Sequence, residues 1–396
     1  NGDGDSVSVG AGSFNALQAG SGNGDQLSVD GGDNNLLSAG NGANDFLTIG
    51  IVGNHNTLQV GAGDNDVCTV ASGNNNFISA GNGAADMLLV NSGNFNVLID
   101  GNGANDSATV GTGDHNVLAV GDGAGDTLQL SSGNDNILLD GNGINDKILV
   151  GGVVGTVGTA VNMGNAIVIG NGDGDQAWGS LGDGNNYLTG AGSDLVHTGG
   201  GADFVYVDNH TETATPSDPT HLTSTDSLAQ NLFADGGNET FALQGTLQGS
   251  ASLGTTVMTG GGGIEKFWLA NQWGNAVITD FNSAHGDRVM VGGVSDPSIT
   301  NLGSVYFQYV HSAYDTANTG NVDLLITFGS SSNHAQSITL IDYKPQDTGN
   351  LFNNVTLSNP VTAETTLAHI FDFNLVDNQA VTNQIASLAS QHLILH

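Results

Sequence analysis

Carboxylates recur at a fixed spacing through the first half of the chain. Asp5, Asp25, Asp45, Asp66, Asp86, Asp106, Asp126 and Asp146 follow one another at twenty or twenty-one residues. Asp175 resumes the series, and Asp194 and Asp203 close it at a nine-residue spacing. Each is reached through glycines, as in GNGAND and GDGAGD. Carboxylate and carbonyl oxygens are what a hard cation such as Ca²⁺ takes, six to eight at a time. A glycine turn ending in Asp supplies both kinds, and two stacked turns supply enough for one ion. The competing role is structural, with Asp closing its turn through local backbone hydrogen bonds. Charge favours the ion. The chain carries 39 Asp plus Glu against four Lys plus Arg, for a formal charge of −35, and Lys147 is the only Lys or Arg before Lys266. Two unit charges stacked about 4.8 Å apart repel by roughly 1 kcal/mol even in bulk water.

Midway between the Asp positions runs a second column: Asn15, Asn35, Asn56, Asn76, Asn96, Asn116 and Asn136. Stacked amides can hydrogen-bond up and down such a column without charge. They can also lend oxygens to a weaker Ca²⁺ site, with Asp114 and Asp135 close by in sequence.

The unit that must position these groups is about twenty residues long: an Asp corner, a short strand, an Asn corner, a short strand. The second and fourth residues after each Asp are apolar, as in Leu27/Val29, Cys68/Val70, Leu88/Val90 and Ile148/Val150. The second after each Asn is too: Leu17, Leu37, Leu58, Ile78, Leu98, Leu118 and Leu138. This alternation points both strands at one thin core. A unit this short cannot bury its own apolar residues and must stack on copies of itself. The acidity alone would suit a disordered chain, but the strict apolar register does not. No proline interrupts the ladder before Pro216. The corner glycines, at the first and third positions, are expected to take positive φ and bring carbonyls near a ligand. Residues 151–170 break the register and predict a bulged or longer coil.

Several outward positions are also apolar. Phe77, Val97, Ile99, Val117, Ile137 and Leu139 follow the Asn corners, and Phe46, Val67, Met87 and Leu89 lie on the other sheet. Such patches mark contact surfaces, with another molecule or with a later part of the chain. Cys68 replaces the usual Leu or Val, so it reads as a small buried apolar residue rather than a reactive thiol.

The run GGGADFVYV resembles the glycine- and aspartate-rich nonapeptide of the RTX (repeats-in-toxin) family, and the ten-residue lines are similar to a longer variant of it. The resemblance implies a secreted β-roll with Ca²⁺ between adjacent turns, held by the eleven Asp residues named above. It also implies type I export and an extracellular or cell-surface location on a Gram-negative bacterium. AVITDFNSAHGDRVMVGG, with Asp280 and Asp287, resembles the flank that caps the roll in serralysin-type proteases. GGNETFAL and GGGGIEKFWL look like degenerate repeats, with Glu239 and Glu265 near the Asp position. Trp268 and Trp273 read as core residues of that cap rather than a sugar platform.

The expected architecture is therefore all-β. A parallel β-roll, or β-solenoid, of about 20-residue coils spans 1–208, with an irregular coil at 151–170. A polar linker follows at 209–230 and a β-rich cap at 231–357. Residues 361–396 carry apolar residues at helical spacing, read as an uncleaved export signal or a docked helix. The chain opens inside a repeat without an initiator Met, as a cut or processed end would. The acidity argues against nucleic acid and anionic membranes, and no apolar run is long enough to span a membrane. No HExxH, G-x-S-x-G or Walker loop occurs, so no enzyme is expected. The reading is a calcium-dependent, self-associating building block of a surface layer, fibre or adhesin. The rivals are a calcium-binding module of a larger secreted enzyme and an ice-binding module.

Overall fold

The computed structural model describes residues 2–190, 192–208, 229–244, 255–270, 274–282, 285–291, 305–310, 323–328, 336–342, 356–357, 383–384 and 386–388. Most of the linker and of the C-terminal segment, together with Trp273, lies outside them. The chain divides into two units, Asn1–Asn185 and Asn186–His396.

The first unit is a stack of coils with a sheet on each side. On one side the strands after the Asp corners run Ser6–Val9, Gln26–Val29, Phe46–Val52, Val67–Ser72, Met87–Ser92, Ser107–Thr112, Thr127–Ser132, Lys147–Val150 and Gln176–Trp178. On the other side three-residue strands follow the Asn corners, from Ala16–Gln18 to Ile137–Leu139, and end with Ala166–Ile169. Neighbours within each sheet pair in parallel and in register, as in Leu88↔Ala108↔Leu128 and Leu98↔Leu118↔Leu138, apart from a register shift between Ile49 and Val52. Register is forced because a one-residue slip would turn the whole inward row to solvent. Leu47, Ile78, Leu88, Leu98, Leu118 and Leu138 have no exposed surface. Each such side chain stabilises the stack by about 1.5–3 kcal/mol relative to exposure. Cys68 is also fully buried.

The coil expected to be irregular is a longer one. Asp146 stacks on Asp175 twenty-nine residues later, and the insertion folds on itself through a bridge between Val153 and Thr156. Beyond it, Ala166–Ile169 rejoins the second sheet beside Ile137–Leu139.

The corners differ from the expectation in one respect. Left-handed backbone falls mainly on the residue just before each Asp or Asn, including Asn65, Ala85, Phe95, Asn105 and His115 at φ between 58° and 65°. Third-position glycines of the Asn corners, such as Gly73, Gly93 and Gly113, do take the expected positive φ, at 144–152°, whereas the first-position glycines do not. The glycine three residues before each Asp is required for a different reason, which is contact. A Cβ on Gly103 would run into the Gly83 carbonyl of the coil below, which is backbone and cannot rotate away. Gly103→Ala is therefore expected to destabilise the fold by about 2 kcal/mol or more. That lowers the melting temperature by roughly 5 °C, and thermal denaturation followed by circular dichroism checks it.

In the second unit the parallel arrangement does not stop at residue 208. Asn186–Thr189, Phe204–Asp208, Thr240–Gln244, Lys266–Ala270 and Arg288–Val291 form one parallel series. Leu195–His197, Ala229–Phe233, Thr255–Thr259, Asn275–Ile278 and Gln336–Leu340 form another. Only then do antiparallel strands appear, with Asp323–Phe328 between Val305–Val310 and Gln336–Leu340. Residues assigned to a cap at 231–291 thus include further coils. Trp268 is buried in them. Near the C-terminus, 383–384 and 386–388 are helical, and Gln384 donates to Asn186 Oδ1 at 2.7 Å.

Candidate metal centre

The two corner columns of the first unit are built alike, and comparing them defines the chemistry. In the Asn column each residue donates twice to the Oδ1 of the next. Asn76 reaches Asn96 Oδ1 from its backbone N–H at 2.9 Å and from Nδ2 at 3.0 Å. Asn116 does the same with Asn136 Oδ1 at 2.7 and 3.0 Å. A further Nδ2 bond goes down the stack, from Asn96 to the Gly73 carbonyl and from Asn136 to the Gly113 carbonyl, each at 3.0 Å. The series continues through Asn165 to Asn185. This buried amide ladder places its donors and acceptors in matched pairs.

The Asp column repeats half of that pattern. Backbone N–H groups donate to the next Oδ1 from Asp5 to Asp25, then to Asp45, Asp66, Asp86, Asp106, Asp126, Asp146 and Asp175, at 2.8–3.0 Å. The other half is missing because Asp has no Nδ2. Its Oδ2 takes the equivalent place. A Cβ on Gly113 would lie 3.0 Å from Asn116 Nδ2, and one on Gly123 would lie 3.0 Å from Asp126 Oδ2. Where one column carries a donor, the other carries an acceptor.

From Asp25 to Asp175 these side chains are at most 1 % exposed. The Oδ2 atoms of Asp25, Asp45, Asp66, Asp86, Asp106, Asp126 and Asp146 are buried without a hydrogen-bond partner. Leaving an ionised oxygen in that state is costly. Burial accordingly pushes the Asp66 carboxyl up to about 6 and those of Asp86, Asp126 and Asp146 up to about 7. Bonds from the preceding backbone N–H pull the other way but do not win. Asp45 and Asp106 are raised for the same reason.

Two states can complete such a column. A proton on Oδ2 turns Asp into a donor and reproduces the Asn ladder. A hard cation instead satisfies several ionised oxygens together. The donor set fits that second role, being all oxygen, buried and unpaired. The structure sets the column inside the coil stack, with its side chains buried.

Of the predicted residues, Asp5 is partly exposed at the first coil and Asp25 to Asp175 stand in one column. Asp194 and Asp203 belong to the second unit, where both are buried. There Asp203, Glu239, Glu265 and Asp287 each precede a strand of one parallel series. Glu265 N–H donates to Asp287 Oδ1 at 3.2 Å, and both Glu239 oxygens are buried without a partner. Burial pushes Glu239 up to about 7, and burial with the neighbouring Asp287 pushes Glu265 up to about 8.

Sequence reasoning missed Asp100 and Asp140, which are buried in the first unit outside the repeating column. Asp86, Asp100 and Asp106 bring one oxygen each within 4.8 Å of one another, as do Asp140, Asp146 and Asp175. The signal was available, because both stand where neighbouring coils carry Ala or Val.

The outward residues form rows in the first unit. Phe77, Val97, Val117 and Ile137 are laddered neighbours, and Ile99 and Leu139 flank Ala119 in the next row. Phe77 and Ile99 are exposed, and the others are half-buried. Phe95 and His115 stack at 4.8 Å between ring centroids at the corner beside them. Among the described residues, no helix is long and apolar enough to cross a membrane. No family model matches this chain, and no curated protein matches it.

Proposed function

We propose that this chain is a secreted structural protein whose coils fold when calcium neutralises the buried Asp column, and which then self-associates into an extracellular layer or fibre. The observation that carries the reading is the run of buried Oδ2 atoms without partners. A column of this kind serves as a conditional spine, since it is unstable when ionised and bare, and stable when filled. At low calcium the acidic chain would stay open for export, and outside the cell ion binding would be linked to folding. The apolar outward rows support association, because exposed apolar surface of this kind favours contact.

Sedimentation velocity of the full chain tests the proposal. In calcium, fast-sedimenting assemblies are expected, and in chelator only slow, unassembled monomer. Val97→Asp with Val117→Asp, on the outward row, should keep the calcium-induced strand signal while removing most of the fast material. A compact monomer in calcium for the wild-type chain would contradict assembly. Identical behaviour in calcium and chelator would contradict the role given to the ion.

A further inference from the structure

Asp100 and Asp140 interrupt an apolar column. Each follows a short strand, Val97–Ile99 or Ile137–Leu139, at a position filled elsewhere by Ala39, Val60, Ala80 and Val120. Ala39, Val60 and Val120 are buried, and Asp100 and Asp140 are buried alongside them at 4 % and 7 % exposure. Charge here costs far more than it would at the corner surface. One oxygen of each is occupied, since Asp100 Oδ1 accepts the Gly101 N–H at 2.9 Å and Asp140 Oδ1 accepts the Gly141 N–H at 3.1 Å. The Oδ2 atoms of Asp86, Asp100, Asp106, Asp140 and Asp146 have no partner.

The spacing lets one ion be shared. Three carboxylate oxygens lie within 4.8 Å of one another in each group. Two oxygens on one calcium ion, at 2.3–2.6 Å each, can stand up to about 5 Å apart, so all three can reach one such ion. The two groups are related in construction. In each, an acid outside the repeat stands six residues before a column Asp and meets that Asp and one neighbour in the column, the preceding Asp86 in the first group and the following Asp175 in the second.

We infer that Asp86–Asp100–Asp106 and Asp140–Asp146–Asp175 are two discrete interior sites, each holding one divalent cation of calcium's size. The inference rests on the reading that this chain takes up calcium, and it adds that two ions are held by acids outside the repeating corner pattern. Column residues in neither group, such as Asp66, would bind more weakly or share a proton.

Native mass spectrometry of the full chain, desalted from limiting calcium, counts the ions retained. The wild type should retain two more than Asp100→Val with Asp140→Val, and each single variant should lose one. Asp66→Asn should lose none of the two. Asp100→Asn, which keeps the size of the side chain, should also lose one ion and guards against a folding defect in the valine variant. Asp100→Val should in addition melt at a higher temperature in chelator, because Val fits between Ala80 and Val120. If Asp66→Asn loses as much calcium as Asp100→Val, the ions follow the repeating column and the two-site inference fails while calcium uptake stands. If the wild type retains no calcium, the uptake itself fails.

Discussion

Freed of divalent cations, the chain will be more stable in mild acid than at neutral pH, the reverse of ordinary acid denaturation. The sign follows from the direction of the shifts. Burial raises the folded-state values of Asp66, Asp86, Asp126 and Asp146 to about 6 or 7, and that of Asp100 to about 8. An unfolded Asp titrates near 3.9. The folded chain thus binds more protons than the unfolded chain across that interval, and stability falls as pH rises. The contribution is complete below about pH 4 and is lost as pH climbs through about 6 to 8. Asp33, held low by the Asn54 backbone and side-chain amides, works in the opposite sense but is a single group. Each proton of difference is worth about 1.4 kcal/mol per pH unit. A folded domain has only about 5–15 kcal/mol to lose, so a few such carboxyls decide the outcome. Thermal melts in chelator should show a melting temperature falling steadily from pH 5 to pH 8, with calcium restoring it at pH 8. A metal-free chain equally stable at both pH values would sink the account.

Converting the Asp column to Asn should remove the need for either proton or ion. Asn at positions 25, 45, 66, 86, 106, 126, 146 and 175 would place an Nδ2 donor where Oδ2 now lies, as the opposite corners already do. Repairing one unsatisfied buried acceptor recovers about 1–3 kcal/mol. Seven repairs, at positions 25 to 146, should raise the melting temperature in chelator at pH 7.5 by well over ~10 °C, at about 2–4 °C per kcal/mol. The same variant should lose most of its response to calcium. If it stays unfolded in chelator, the equivalence between the two columns is wrong. Asp106→Ala is the instructive contrast. It removes the buried charge but also the acceptor for the Asp86 N–H, so it should not stabilise as Asn does.

Much of this was legible in the sequence because the repeat is strict. Alternation at Leu88/Val90 and Leu128/Leu130 fixes which side chains enter the core, and twenty-residue spacing fixes which coils touch. The Asp and Asn columns were visible for the same reason. What periodicity could not convey was direction. A residue ending a glycine turn can face solvent or the stack, and only the bond from each backbone N–H to the next Oδ1 shows that Asp faces inward. Asp100 and Asp140 escaped because the repeating column drew attention, although an acid in an Ala/Val column is itself a strong signal. The coils of the second unit were only partly legible, as degenerate repeats at Glu239 and Glu265, because irregular loops separate them. Asp203, Glu239, Glu265 and Asp287 are spaced by 36, 26 and 22 residues, so no fixed period links them. Left-handed backbone at Ala85 and Phe95 was not legible at all, since neither residue type favours it.

The central claim is that the buried Asp column must be completed by protons or by calcium, one replacing the other. Titration calorimetry near pH 6, repeated in two buffers of different ionisation enthalpy, counts the protons exchanged when calcium binds the metal-free chain. The account predicts net proton release, abolished or nearly so when the column is Asn. Calcium binding with no proton release would mean that the column is already ionised and bare inside the fold, and would contradict it.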